Sequence, residues 1–177
     1  MKKLILCVLA SSALAAPAFA ALPVGSAAPT FKTEASQAGK EFAYDLSAAL
    51  KKGPVVVYFY PAAYTPGCNA EAHAFAEATD DFKKAGATVI GVSHDNIEQL
   101  NKFSADTAYC SGKFPVASDV DGKISTQYDA VMKFGTRQVS SRTSYVIGKD
   151  GKVAFAYMAN DPSKHVELTM AAVKGLK

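Results

Sequence analysis

The chain has 177 residues, of which 49% are apolar and 20% are charged, and its formal net charge is +3. This length and composition fit one globular domain that can bury a core without disulfides or structural metals. The basic residues are scattered along the chain, so the sequence lacks the basic stripe of a protein that binds nucleic acid.

The first 20 residues have the pattern of a secretory signal peptide. Lys2 and Lys3 form a short basic head, residues 4–16 are mostly apolar, and residues 18–20 read Ala-Phe-Ala, an A-x-A-like cleavage site. The apolar segment is shorter than the about 20 residues of a membrane-spanning helix. We therefore expect cleavage after Ala20, a mature chain of residues 21–177 without a membrane anchor, and export to the periplasm or the medium.

Cleavage would change both the charge and the cysteine count. It removes two lysines, which leaves a formal charge of +1, and it removes Cys7, which leaves Cys68 and Cys110. Outside the cytosol two cysteines can form one lasting disulfide.

The first half of the mature chain predicts a hairpin, a strand and a helix. Residues 31–35 and 42–46 alternate in polarity on either side of a turn at 37–40, which predicts a β-hairpin. The apolar run at 55–60 is typical of a central strand buried on both faces. From residue 66 to residue 84 the apolar spacing is helical, and Gly86 marks the end.

The second half alternates strands and helices. The sequence predicts strands at 88–93, 115–117, 143–147 and 153–157, helices at 96–109, 122–130 and 162–174, and a hairpin turn at 148–151. This order predicts an α/β protein with a thioredoxin-like fold, in which helices flank a central mixed β-sheet and a β-hairpin comes first.

Cys68 falls where the central strand gives way to a helix. Thr65 suits the N-cap and Pro66 the first helical position, so Cys68 lies in the first turn. Unpaired backbone N–H groups and the helix dipole stabilise a thiolate there. A cysteine that only packs in the core is the alternative that this position leaves open.

A second candidate for the site is Arg142, which directly precedes the strand at 143–147. The chain contains only one other arginine, Arg137. A guanidinium at a strand edge can steady a thiolate and hold a substrate oxygen by parallel hydrogen bonds. A surface arginine fits the same position.

These motifs resemble peroxiredoxins of the bacterioferritin-comigratory (PrxQ) subfamily of the AhpC/TSA family. The resemblance covers nearly all of residues 22–177, and its most specific element is the motif Pro-x-x-x-Thr-x-x-Cys at 61–68 combined with Arg142. The other matching segments are residues 58–61, 70–72, 82–87, 89–93, 114–115, 118–119 and 142–144.

The resemblance implies a thiol-dependent peroxidase that needs no metal or other cofactor and reduces hydrogen peroxide and organic hydroperoxides. Cys68 would be the peroxidatic cysteine, which attacks the O–O bond and becomes a sulfenic acid. Thr65 would hydrogen-bond to the thiolate and the peroxide, and Pro61 would shield the pocket. Arg142 would activate both reactants, and Glu71 would orient the arginine.

The resemblance also bears on how the sulfenic acid is resolved. Many members carry a resolving cysteine at the position of His73, whereas others carry it in a later helix, so Cys110 is the provisional resolving residue. A free packing thiol, with resolution by an external thiol, is the alternative. The resemblance further implies a thiol reductant of the thioredoxin type and a monomer or weak homodimer.

Other functions fit parts of the sequence less well. A disulfide reductase needs Cys-x-x-Cys, and Thr65 occupies its first position. A non-enzymatic thioredoxin-fold protein with a structural disulfide remains an alternative, but it leaves Pro61, Thr65 and Arg142 unexplained. Cys68 and His73 point about 140° apart on a helix and do not predict a metal site. His94 and His165 are expected to be surface or packing residues, like other histidines without partners at ligand spacing.

Overall fold

The computed structural model describes residues 21–176, so the predicted signal peptide lies outside the described residues. The strands are β1 (Lys32–Gln37), β2 (Lys40–Asp45), β3 (Val55–Phe59), β4 (Thr88–Ser93), β5 (Val116–Ser118), β6 (Val131–Phe134), β7 (Arg137–Ser140), β8 (Thr143–Ile147) and β9 (Val153–Met158). The helices are α1 (Leu46–Leu50), α2 (Pro66–Lys84), α3 (Ile97–Ala105), α4 (Lys123–Gln127) and α5 (His165–Lys174), and a 3₁₀ turn, Pro162–Lys164, precedes α5. Within residues 21–176 no helix has the length and apolar character needed to cross a membrane.

Seven of the strands form one mixed sheet in the order β2-β1-β5-β4-β3-β8-β9. Strands β3, β4 and β5 run parallel, whereas β8 is antiparallel to both β3 and β9. The first two strands form the hairpin that the alternating pattern predicts. The structure thus confirms the α/β architecture with a central mixed sheet and an N-terminal hairpin.

Strand β3 lies at the centre of the sheet and is buried on both faces, as its apolar run predicts. Val55 and Val57 belong to one core cluster, which α1 and α4 cover with Leu46 and Ile124. Val56 and Tyr58 belong to a second cluster on the opposite face, among residues of α2, α3 and α5. Because side chains alternate along a strand, a single apolar run supplies both cores.

The end of α3 differs from the prediction. The helix ends at Ala105, and not near residue 109, because Asp106 adopts an extended conformation and its carboxylate accepts a hydrogen bond from the Ala108 N–H at 2.9 Å. Cys110 therefore lies in the turns after α3. The next residue, Ser111, has a left-handed φ of 51°, which is uncommon outside glycine. The helix predicted at 122–130 is likewise shorter, and Asp129 beyond it has a φ of 50°.

A second, two-stranded sheet, formed by β6 and β7, was not predicted from the sequence. Its strands are short and largely exposed, so residues 131–140 carry little of the alternating polarity that marks a half-buried hairpin. His94 anchors it, since its Nδ1 lies 3.2 Å from the carbonyl of Gln138 and its Nε2 lies 2.8 Å from Oγ of Ser125.

Candidate active site

Cys68 lies in the first turn of α2, at the position that the capping pattern predicts, and its side chain is buried. Thr65 is the N-cap residue, but its hydroxyl does not cap the helix. It donates instead to the carbonyl of Ala62 at 3.0 Å, within the loop that joins β3 to α2. The first hydrogen bond of the helix runs from the Asn69 N–H to the Thr65 carbonyl, so the N–H groups of Gly67 and Cys68 precede it.

Arg142 reaches Cys68 from the start of β8. Its Nη2 donates to Sγ of Cys68 at 3.5 Å, and its Nε donates to the carbonyl of Asn160 at 3.0 Å. The sheet explains this approach, because the register pairs Phe59, at the end of β3, with Thr143. The loop before α2 and the residue before β8 therefore meet at the same end of these two neighbouring strands.

Glu71 completes this group from the second turn of α2. Its Oε2 accepts a hydrogen bond from Nη1 of Arg142, and its side chain is fully buried. Burial raises the pKa of Glu71 to about 7, because the charged form is costly in the core, although the pairing with Arg142 opposes the shift. The carboxyl is thus poised to change its charge near neutral pH.

Gly67 makes room for the guanidinium. A Cβ on this residue would lie 3.0 Å from Nη2 of Arg142, closer than such contacts ordinarily come. The glycine therefore lets the arginine approach the turn that holds Cys68, a role that the sequence pattern alone does not reveal.

The loop before α2 is tied to the neighbouring strand by Asp95, another residue that the sequence reasoning missed. One carboxylate oxygen of Asp95 accepts hydrogen bonds from the Ala63 N–H at 2.7 Å and from the Ser93 hydroxyl at 2.8 Å. Pro61, predicted to shield the pocket, lies half-buried in this loop. Tyr64 has a φ of 64°, an uncommon conformation for a residue with a side chain.

Cys110 is buried in the same core cluster as Cys68, and both thiols are free. Burial, with a smaller contribution from Asp106, raises the pKa of Cys110 far above its ordinary value, so this thiol is neutral. Tyr64 packs edge-on against Phe103 and Tyr109, with ring centroids 5.2 and 5.8 Å apart. These aromatic rings join the loop before α2 to the segment that carries Cys110.

Two histidines differ in their surroundings. His73 is half-exposed and lies 3.5 Å from Glu77, away from the thiol, as the helical spacing predicts. His165, expected to be a surface or packing residue, is fully buried, and its Nδ1 lies 3.5 Å from Oε1 of Glu71. Nothing in the spacing of the sequence marks this contact. Among residues 21–176, no cluster of three or more potential ligands could hold a metal ion.

A thioredoxin-like fold in which a buried cysteine begins a helix and meets an arginine–carboxylate pair defines a class of protein, the thiol-dependent peroxidases. Comparisons with known proteins support the same class. Residues 24–156 match the model of the AhpC/TSA family, and the chain belongs to this family.

Similar proteins carry peroxiredoxin names. The chain is 36% identical to the chloroplastic peroxiredoxin Q of Sedum lineare over 161 residues, which cover 90% of this chain and 82% of the relative. A crystal structure of the peroxidoxin BcpB from Mycobacterium tuberculosis aligns with a TM-score of 0.77 and 27% identity, over 87% of this chain and 97% of that one. A PrxQ structure from Xylella fastidiosa, at 23% identity, has the same fold, with a TM-score of 0.76 and coverage of 88% and 98%. The chain is therefore a peroxidase that uses a thiol reductant.

Proposed function

We propose that Cys68 is the peroxidatic cysteine, and the contact between its sulfur and Nη2 of Arg142 is the observation that carries this assignment. The thiolate attacks one oxygen of the peroxide, a sulfur–oxygen bond forms, and the O–O bond breaks. Cys68 becomes a sulfenic acid, and the leaving hydroxide or alkoxide takes up one proton to give water or an alcohol. Arg142 supplies a fixed positive charge next to the oxygen on which negative charge develops.

Hydrogen bonds at the start of α2 orient the peroxide. The Thr65 hydroxyl donates to the Ala62 carbonyl, so its own lone pairs are available to accept the O–H of the peroxide. The N–H groups of Gly67 and Cys68 precede the first helical hydrogen bond and stabilise negative charge in the pocket. Pro61 limits access of water from the loop, and Glu71 holds the arginine in place.

An apolar groove beside Arg142 supports organic hydroperoxides as substrates together with hydrogen peroxide. The groove has a volume of about 550 Å³ and is lined by residues that include Val131, Met132 and Met158. Asn160, whose carbonyl binds Arg142, also lines it. An alkyl group would lie along these side chains while its peroxide group reached the guanidinium.

Cys110 is proposed to resolve the sulfenic acid. A disulfide needs Cα atoms within about 7 Å, and the thiol of Cys110 is buried and neutral. Both sulfur atoms are buried and unbonded, so we expect the first turn of α2 to unwind and the turns after α3 to move when they react. A thiol reductant of the thioredoxin type then reduces the disulfide. The structural-disulfide alternative is not favoured, since both cysteines are free thiols and the similar proteins are peroxiredoxins.

The protein is further proposed to act as a monomer or weak homodimer, in the periplasm or outside the cell. The basic head, the apolar segment and the Ala-Phe-Ala site within residues 1–20 support export. Fractionation of the native host tests this: a periplasmic or secreted protein that begins at residue 21 supports export, and an intact cytosolic chain contradicts it.

The roles of the two cysteines are tested by adding stoichiometric hydrogen peroxide to the reduced protein. We expect peroxide loss in the wild type and in Cys110→Ser, and no loss in Cys68→Ser. A sulfenic acid trapped only in Cys110→Ser supports resolution by Cys110. A sulfenic acid that accumulates equally in the wild type shows that an external thiol resolves Cys68, and peroxide loss that persists in Cys68→Ser overturns the whole assignment.

A further inference from the structure

Glu71 and His165 face each other inside the core with two atoms that compete for a proton. Both side chains are fully buried, and Nδ1 of His165 lies 3.5 Å from Oε1 of Glu71. Arg142 binds the other oxygen of Glu71, while Oε1 has no hydrogen-bond partner. A buried carboxylate oxygen without a partner is costly, so a proton between these two atoms would stabilise the arrangement.

The hydrogen bonds of His165 determine its tautomer. Nε2 lies 3.1 Å from the carbonyl of Ala159, and a carbonyl only accepts, so Nε2 carries the hydrogen. In the neutral ring Nδ1 is then an acceptor. It lies 2.8 Å from Oγ of Ser144, whose hydroxyl can either donate to Nδ1 or turn to accept. An ionised Glu71 next to a neutral ring would place two lone pairs against each other.

We propose that one proton is shared between Oε1 of Glu71 and Nδ1 of His165, and that His165 is thereby a positioning residue for Arg142 and Cys68. This inference rests on the proposed roles of Cys68 and Arg142. It assigns to α5 a part in the reaction, although His165 reaches neither the thiol nor the peroxide directly.

The position of the shared proton determines whether the positive charge of Arg142 stabilises the Cys68 thiolate or the Glu71 carboxylate. While the proton is on the pair, Glu71 does not neutralise the arginine, and the guanidinium charge is balanced by the Cys68 thiolate. If the proton is on Cys68 instead, Glu71 is an anion and balances Arg142. Both forms keep the buried group neutral, and burying a net charge is unfavourable. The pair therefore holds the proton that Cys68 loses.

The same proton balances the reaction. The thiolate and hydrogen peroxide give a sulfenic acid and hydroxide, and the sulfenic acid carries no charge on sulfur. Glu71 can then ionise and pair fully with Arg142, because the anion that competed for the guanidinium is gone. The proton released by the pair converts hydroxide into water, so the reduction takes up no net proton from the solvent.

The groups around the pair favour the proton on the carboxyl. Burial raises the pKa of Glu71 to about 7, and Tyr58 of β3 also lies close to it. Burial lowers the pKa of His165; Arg142 acts in the same direction, whereas the Ala159 carbonyl and Asp161 oppose the shift. Two further neighbours of the ring are uncharged: Tyr157 of β9, with its ring centroid 4.8 Å away, and Ser144 of β8.

Two substitutions of His165 distinguish its two roles, which are to orient the Glu71 carboxylate and to hold the shared proton. His165→Asn keeps an N–H donor close to the place of Nδ1, so Glu71 stays oriented but the pair cannot hold the proton. In His165→Gln the amide of the new side chain extends toward the Ala159 carbonyl, so Oε1 of Glu71 has neither a donor nor a proton acceptor next to it. His73→Gln is the matched control, because His73 is half-exposed and pairs with Glu77.

The rate of Cys68 oxidation by hydrogen peroxide is measured across pH by stopped flow. We expect His165→Gln to lower the rate about 10-fold to 100-fold at every pH, because the arginine is misplaced. His165→Asn should shift the pH profile upward and recover the wild-type plateau, with about one proton taken up per peroxide at that plateau. His73→Gln should behave like the wild type. Wild-type rates and pH profiles in both His165 variants would overturn the proposal.

A measurement on the wild type keeps the proposal testable if the variants do not fold. Nitrogen-labelled histidine in the reduced protein should show hydrogen on Nε2 of His165 and an Nδ1 signal that changes near neutral pH and again when Cys68 is oxidised. An Nδ1–H tautomer, or a signal that changes with neither pH nor oxidation, would overturn the shared proton. If peroxide loss still requires Cys68 in that case, the proposed function stands and this inference alone fails.

Discussion

Nη2 of Arg142 lies 3.5 Å from Sγ of Cys68, although 74 positions separate the two residues in the chain. The antiparallel pairing of β3 with β8 creates this contact, since it brings together the end of one strand and the start of the other. The same arginine binds Glu71 through Nη1 and the Asn160 carbonyl through Nε, so each nitrogen of the guanidinium has a different partner.

Arg142→Lys should therefore be a severe substitution even though it keeps the charge. A lysine ammonium is a single point of charge and cannot hold Glu71, Asn160 and Cys68 at once. We expect the second-order rate constant with hydrogen peroxide to fall about 100-fold, in the range seen when one donor to a developing anion is removed. The exposed Arg137 provides the control, and a loss of the same size in Arg137→Lys would contradict the special role of Arg142.

Gly67→Ala should reduce activity without reducing stability. The new Cβ would lie 3.0 Å from Nη2 of Arg142, and the end of this long side chain is the part that can move. We expect peroxide reduction to slow about 10-fold because the guanidinium is displaced from Cys68. Alanine is a better helix former than glycine by about 1 kcal/mol, so thermal unfolding should occur at the same or a higher temperature. A parallel loss of stability and activity would mean that the glycine serves the backbone instead.

Tyr64→Asn should favour disulfide formation over further oxidation. Asparagine tolerates the left-handed φ of 64° but lacks the ring that packs against Phe103 and Tyr109. The loop before α2 should separate more readily from the segment that carries Cys110. The disulfide then forms sooner, so less sulfinic acid forms at high peroxide. Mass spectrometry measures the ratio of disulfide to sulfinic acid at Cys68. Phe134→Asn, at an exposed site on the β6–β7 hairpin, should leave it unchanged, and more sulfinic acid in Tyr64→Asn would contradict the prediction.

Met158→Glu should discriminate between substrates. Met158 is partly exposed, lines the apolar groove and pairs with Thr143, the residue after Arg142. A carboxylate there should weaken the binding of an alkyl group and leave a small peroxide unaffected. We expect the rate with cumene hydroperoxide to fall about 10-fold, as for the loss of one or two buried methylenes, and the rate with hydrogen peroxide to stay within about twofold. Equal effects on both substrates would place the alkyl group elsewhere.

Much of the fold could be predicted from the sequence because local patterns dominate it. The bounds of α2, β4 and β8 agree with the predicted ones, since an N-cap, a β-branched run and flanking glycines mark them. The exposed hairpin at 131–140 was missed because few of its residues face a core. The end of α3 was misplaced because the side chain of Asp106 competes for the backbone.

The site divides in the same way. Cys68 and Thr65 could be placed from helix-capping rules, although the Thr65 hydroxyl turned out to bind the Ala62 carbonyl. The contacts of Gly67, Asp95 and His165 depend on tertiary packing and leave no local pattern. Their roles therefore follow from the three-dimensional structure alone.

The pH dependence of stability gives a test of the Glu71–His165 pair that does not use activity. At pH values between those at which Glu71 and His165 titrate in the unfolded chain, about 4.5 and 6.5, the unfolded chain holds one proton on the histidine. The native pair also holds one, on the carboxyl, because the pKa of Glu71 is raised and that of His165 is lowered. Since native and unfolded states bind equal numbers of protons, the pair should contribute almost no slope in this range.

Substituting one residue of the pair at a time should reveal pH dependences of the free energy of unfolding that have opposite signs. In His165→Gln the native Glu71 still binds a proton that the unfolded chain lacks, so the free energy of unfolding should increase as pH falls from about 7 to 5, by up to about 1.4 kcal/mol per pH unit. In Glu71→Gln the unfolded His165 binds a proton that the native ring does not, so the free energy should decrease as pH falls below about 6.5.

Denaturation curves at several pH values measure both slopes, whatever the absolute loss of stability in each variant. Asp45, Asp81 and Asp121 do not interfere, because their lowered pKa values place their titration below this range. If either variant lacks its expected slope, the remaining residue does not titrate as the shared proton requires, and the proposal is contradicted. Deviations from the wild-type slope in opposite directions in the two variants would show that the native core keeps one proton on this pair.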